Sequence, residues 1–63
     1  MLKETRVSRG LSQSELADRS GVSLRTIQGY EIGQRDINKA SGETLYKLSK
    51  ALGCLMEDLL HIE

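Results

Sequence analysis

Sixty-three residues with nine basic and nine acidic side chains, one cysteine, and no proline, phenylalanine or tryptophan make a single domain, 1–63, whose core must come from branched aliphatics. The lone cysteine excludes an intramolecular disulfide, no apolar run approaches the roughly 18 residues that span a membrane, and no apolar leader opens the chain, so a cytoplasmic all-α protein with Cys54 as a reduced, buried thiol is expected. Net charge is zero, but residues 1–39 hold seven Lys/Arg against five acids and residues 40–63 hold two against four, so any attraction to a polyanion is mild and falls on the N-terminal part.

Leu2 to Arg9 contains neither Gly nor Pro and stops at Gly10, which predicts a first helix of about two turns. Leu2, Thr5, Arg6 and Arg9 share a face at i, i+3, i+4 and i+7 spacing. Arg6 on that face is either a solvated charge at its edge or the partner of a carboxylate, with Glu31 the natural candidate. Leu11 then drops into the core. Ser12 and Glu15 form a capping box, each side chain answering the other's backbone N–H, and open a second helix from about Gln13 to Arg19 or Ser20. Glu15 and Arg19 read as a solvated i, i+4 pair. Gly21 ends that helix, Val22 plugs the turn and Ser23 caps a third helix from Leu24 to Tyr30. It turns Ile27 and Tyr30 inward and Arg25, Thr26 and Gln28 outward. Helix, short glycine turn and helix is the geometry of a DNA-reading helix-turn-helix.

Gly33 stops the third helix. Residues 32–41 have little periodicity, and Ile37 and Ala40 are the candidates to pin them to the core. Gln34, Arg35 and Lys39 are donors on the loop beside the reading helix, where a phosphate backbone would pass. Ser41 or Gly42 caps a fourth helix that runs to Ala51 or Leu52, with an amphipathic stripe of Leu45, Leu48, Ser49 and Leu52. Lys47 and Lys50 face solvent, and Gly53 terminates the helix. Leu55 to Leu60 predicts a short fifth helix that sends Leu59 and Leu60 into the core. There is no repeat and no low-complexity segment.

The ordered set R6-x3-G10-L11-S12-Q13-x-E15-L16-A17-x3-G21-V22-S23-x3-I27-x3-E31-x-G33, then T44-L45-x2-L48-x3-L52-G53 and D58-x-L60, resembles the phage repressor and Cro family of helix-turn-helix domains. The resemblance covers nearly the whole chain. It implies five short helices, the second and third forming the motif, and sequence-specific binding of double-stranded DNA as a dimer on a two-fold symmetric operator. It also implies an Arg6–Glu31 ion pair and places Leu24, Arg25, Gln28 and Gly29 on the groove-facing side of the reading helix. Gln13, beside Ser12 at the start of the second helix, matches a backbone-contacting position, and helix N-termini suit phosphate. Thr5 and Ser49 stand where that family has apolar residues or Ala, which predicts a slightly polar core. Leu55 stands where it has a capping Ser or Thr.

In the major groove Arg25 can fork onto guanine and Gln28 can pair with adenine, each such contact discriminating by about 1–3 kcal/mol. Leu24 either packs on a thymine methyl or is an ordinary surface leucine. Gly29 costs a helix about 1 kcal/mol relative to Ala, which points to close approach, by DNA or by the first helix. Ser23 and Thr26 can bond phosphate. A single domain covers too few base pairs, so two copies on half-sites about 34 Å apart are expected, associating weakly through Leu55, Met56 and Ile62. An enzyme is not expected. Cys54, Asp58 and His61 could share a face and hold a metal, but Cys54 reads as a core residue, and no metal or cofactor is called for. The rival reading is an antitoxin or protein-interaction module on the same fold.

Overall fold

Three serines set the starts of three helices. Ser12 Oγ accepts from the Glu15 N–H at 3.0 Å, Ser23 Oγ from the Thr26 N–H at 3.2 Å, and Ser41 Oγ from the Thr44 N–H at 3.1 Å. Each satisfies one of the donors that a helix N-terminus leaves without an intrahelical partner. In the computed structural model, which describes residues 2–60, these caps open α2 (Gln13–Ser20), α3 (Leu24–Ile32) and α4 (Gly42–Leu52), preceded by α1 (Leu2–Ser8). Glu15 Oε1 returns the bond by accepting from the Ser12 N–H at 2.9 Å. Glu15 and Arg19 are both exposed, so their solvated i, i+4 relation stands beside the cap.

Between α2 and α3 the backbone of Gly21 is left-handed, at φ +75°, a conformation that costs a residue with a Cβ roughly 1–2 kcal/mol. This lets α2 stop and α3 leave at an angle within three residues. The α3 helix runs two residues past Tyr30, to Ile32, before Gly33 ends it. The loop after it is not wholly irregular. Asp36 caps a 3₁₀ turn at Ile37–Lys39 by accepting from the Asn38 N–H at 2.9 Å. Ile37 is buried and Ala40 half-buried against the core, so they pin the loop as expected.

Leu16, Ile27, Leu48 and Leu59 are fully enclosed, at 0% exposure, and come from α2, α3, α4 and the C-terminal turn. Leu2, Leu11, Val22, Ile37, Leu45 and Leu52 surround them. The α2 helix packs on both α3 and α4, while α1 closes over α3 and the C-terminal turn. All four stripe positions of α4 are buried, Ser49 among them. Ser49 Oγ donates to the Tyr46 carbonyl at 2.8 Å, so this polar departure from an alanine is satisfied within its own helix.

The fifth helix is corrected to a 3₁₀ turn at Met56–Leu59. Gly53 already turns the chain through a left-handed residue, and the turns that follow close at three residues, the Asp58 N–H on the Leu55 carbonyl and the Leu60 N–H on the Glu57 carbonyl. A three-residue winding suffices to bury Leu59. Leu55 has no side-chain oxygen for the cap, and Asp58 supplies the bond from the other side by accepting from the Leu55 N–H at 3.1 Å. Cys54 is half-buried rather than buried, packed at the edge of the core. Burial, and then the nearby Asp58 charge, push its thiol above the usual range, which leaves it a poor nucleophile.

Candidate nucleic-acid interface

The outward stripe of α3 is defined by what lies opposite it. Ile27 is wholly enclosed and Tyr30 is half-buried against the core. At 100° per residue, positions 25, 28, 29 and 32 therefore share the face turned away from the domain. Arg25 and Gln28 are exposed on it. Leu24, one position before the stripe, is 37% exposed, and Ile32 at its far end is 66% exposed. The sequence reading did not single out Ile32, although its i+7 spacing from Arg25 was a usable signal.

Behind that face α3 is held by a carboxylate. Arg6 Nε donates to Glu31 Oε2 at 2.8 Å and Arg6 Nη2 to Glu31 Oε1 at 3.0 Å, a two-bond fork, while Nη1 donates to the Leu11 carbonyl at 2.7 Å. Gln13 Nε2 adds a bond to Glu31 Oε1 at 3.1 Å. The Glu31 side chain is 2% exposed and that of Arg6 is 11% exposed. Burial by itself would raise the Glu31 carboxyl, but the Arg6 and Gln13 hydrogen bonds outweigh it and hold the group below the usual carboxylate range. One carboxylate thus joins α1, the α1–α2 turn, the first residue of α2 and the end of α3. The choice left open for Arg6 falls to the ion pair.

The polar residues at the two helix starts are partly committed. Ser23 Oγ donates to Thr26 Oγ1 at 2.7 Å, which leaves the Thr26 hydroxyl proton as the pair's outward donor. The Gln13 amide has two N–H donors, and one of them is taken by Glu31. Ser12 Oγ accepts in its cap and keeps its own proton. On the loop, Gln34, Arg35 and Lys39 are exposed. The side chains of Arg25, Arg35 and Lys39 make no hydrogen bond or ion pair among the described residues. Their charged ends are therefore uncommitted.

A family model described as helix-turn-helix matches residues 2–59. The chain belongs to the repressor and Cro type of helix-turn-helix domains. That family is one of DNA-binding domains rather than of enzymes. Searches of curated proteins and of solved structures gave no match.

Within this helix-turn-helix domain some expected residues stand in unexpected company. Within the fold the residue that approaches Gly29 is Arg35 and not α1. A Cβ built on Gly29 would lie 2.9 Å from Arg35 Cδ and 3.1 Å from Arg35 Cγ, so the Arg35 stem covers the glycine. Arg9 is a second arginine with a structural use. Its Nε donates to the Leu52 carbonyl at 2.8 Å and its Nη2 to the Gly53 carbonyl at 3.4 Å, capping the C-terminal end of α4. No local pattern announces a partner 43 residues away. Of the three apolar residues expected to join two copies, Leu55 is 62% exposed, Met56 is half-buried against the core and Ile62 lies outside the described residues, as does His61. Among the described residues no helix is long and apolar enough to cross a membrane, and no group of three or more potential metal ligands occurs.

Proposed function

We propose that this domain is a sequence-specific transcriptional repressor that inserts α3 into the major groove of double-stranded DNA. The observation that carries the reading is the outward stripe of α3. Arg25 and Gln28 stand exposed on it without partners, on a helix whose opposite side is locked by Ile27 and the Arg6–Glu31 fork. Preorganised donors on a rigid element suit base-edge recognition, with Arg25 on guanine, Gln28 on adenine and Leu24 against a thymine methyl.

Backbone contacts are assigned to Ser12 and Gln13 at the start of α2, to Ser23 and Thr26 at the start of α3, and to Gln34, Arg35 and Lys39 on the loop. Both helix starts offer N–H groups and a positive dipole end to phosphate. The longest extent of the domain is 27 Å, less than the roughly 34 Å between half-sites on one face of DNA. One copy therefore serves one half-site, and we assign the active form as a weak homodimer on a palindromic operator, with Leu55 as the exposed apolar contact. A rigid domain seated in the groove excludes other proteins from that stretch, which makes repression the direct consequence.

The test is selection of bound duplexes from a randomised pool, followed by fluorescence anisotropy on the retained sequence. A two-fold symmetric consensus is expected, with discrimination lost at one base position per half-site in Arg25→Ala. Retention of no consensus at low salt by demonstrably folded protein overturns the reading and favours a protein partner.

A further inference from the structure

Gly29 is buried although it lies on the outward stripe of α3, because Arg35 lies across it. The loop is folded back to make this possible: the Arg35 N–H donates to the Gly29 carbonyl at 3.1 Å. Backbone and side chain of Arg35 thus both land on the same residue, and any other residue at position 29 would occupy the space of the stem. Residues 25 and 29 are four apart, and such positions lie about 5–6 Å from one another on a helix surface. The Arg35 stem therefore joins the stripe one turn from Arg25. Among the described residues neither arginine side chain is paired with an acid. Glu31 is enclosed by Arg6 and Gln13, and Asp36 caps the 3₁₀ turn. Two arginine side chains without an ion-pair partner, one rooted at position 25 and the other lying over position 29 a turn away, match an anion that bridges or flanks them.

We propose that Gly29 and Arg35 form a single positioning device: the missing side chain of Gly29 is the seat that lays Arg35 along α3, so that its guanidinium grips the phosphate flanking the groove and sets the angle of the helix. Gly29 acts only through Arg35 and touches no base. This deepens, and rests on, the reading of α3 as a major-groove helix.

The test is a double-mutant cycle on the full chain, using the duplex retained from the randomised pool and anisotropy from 50 to 200 mM KCl. Gly29→Ala and Arg35→Ala are each expected to weaken binding on the order of fivefold and to flatten the log–log salt slope by about 0.9 per protomer. The double variant should bind no worse than either single one. Melting of Gly29→Ala should be unchanged or higher, because alanine is the better helix former, which separates lost binding from lost fold. Wild-type affinity and slope in Gly29→Ala, with Arg25→Ala still losing sequence preference, overturns the seat and leaves the DNA reading standing. A further loss when Gly29→Ala is added to Arg35→Ala overturns it too, since the glycine would then serve DNA directly. Failure of the wild-type protein to retain any duplex removes both readings.

Discussion

Gln13 and Arg6 donate to the same oxygen of Glu31, at 3.1 and 3.0 Å. The residue that opens α2 is thereby tied to the residue one short of the end of α3 by a buried carboxylate that α1 neutralises. The angle between the two helices of the motif is held by this bond as well as by the packing of Leu16 on Ile27's side of the core. It also fixes the orientation of the Gln13 amide, because a carboxylate repels an amide oxygen. The remaining Gln13 N–H is the one available to a phosphate.

Removing either member of the fork should be severe. Glu31→Ala leaves the Arg6 charge largely enclosed with only the Leu11 carbonyl to answer it, and Arg6→Ala leaves the Glu31 charge enclosed with only the Gln13 amide. Breaking a buried pair costs about 3–5 kcal/mol. At about 0.05–0.15 kcal/mol per residue, the whole stability of a chain this short is comparable. Urea titration followed by circular dichroism should find both variants partly unfolded without denaturant. A midpoint close to that of the wild type would reduce Arg6 to a surface charge.

The same carboxylate makes stability pH-dependent with a defined sign. The Glu31 pKa is lowered in the folded state, so the unfolded chain binds its proton first as pH falls. The contribution is fully present above the ordinary glutamate value of about 4.3 and is lost as pH drops below it through the depressed folded value. Melting temperatures measured from pH 7 to pH 3 should fall in that acid range. In Glu31→Gln the fall should be shallower, leaving a smaller share from the Glu15 cap, whose pKa is also lowered.

Gly21 sits at φ +75° with no neighbour within 4 Å of a built Cβ. The objection to a side chain there is conformational, not steric crowding. Gly21→Ala should therefore destabilise by about 1–2 kcal/mol with an unchanged denaturant slope. An alanine that is tolerated without loss would mean that the turn readily relaxes to another backbone geometry.

The arginines should divide into two classes. Arg9→Ala removes the cap on the Leu52 and Gly53 carbonyls and is expected to cost about 1–2 kcal/mol of stability while leaving base preference intact. Arg25→Ala, on an exposed side chain without partners, should change stability by less than about 0.5 kcal/mol yet lose about 1–3 kcal/mol of discrimination at one base. Thermal melts and competition binding on the same two proteins check both halves of the contrast.

Local features of this fold were legible in the chain because they act over three or four residues. Serine caps answered at i+3, a left-handed glycine between two helices and a stripe at i, i+3, i+4 and i+7 leave periodic marks, and α2, α3 and α4 follow them closely. The C-terminal element was the exception: Leu55 to Leu60 read as a short fifth helix, but it closes on three-residue hydrogen bonds as a 3₁₀ turn. The burial of Ile27 and the outward placing of Arg25 and Gln28 were legible for the same periodic reason.

The tertiary structure alone decided which polar residues are already occupied. Arg9 looks like Arg25 in the sequence, but it lies beside the end of α4, where unsatisfied carbonyls await a donor. Gln13 looks free for phosphate, but the fold brings one of its donors to Glu31. Gly29 looks like an open position on α3, but the loop returns and lays Arg35 over it. Such assignments depend on contacts between residues distant in the chain, which leave no periodic mark, whereas caps, turns and amphipathic stripes carry their own.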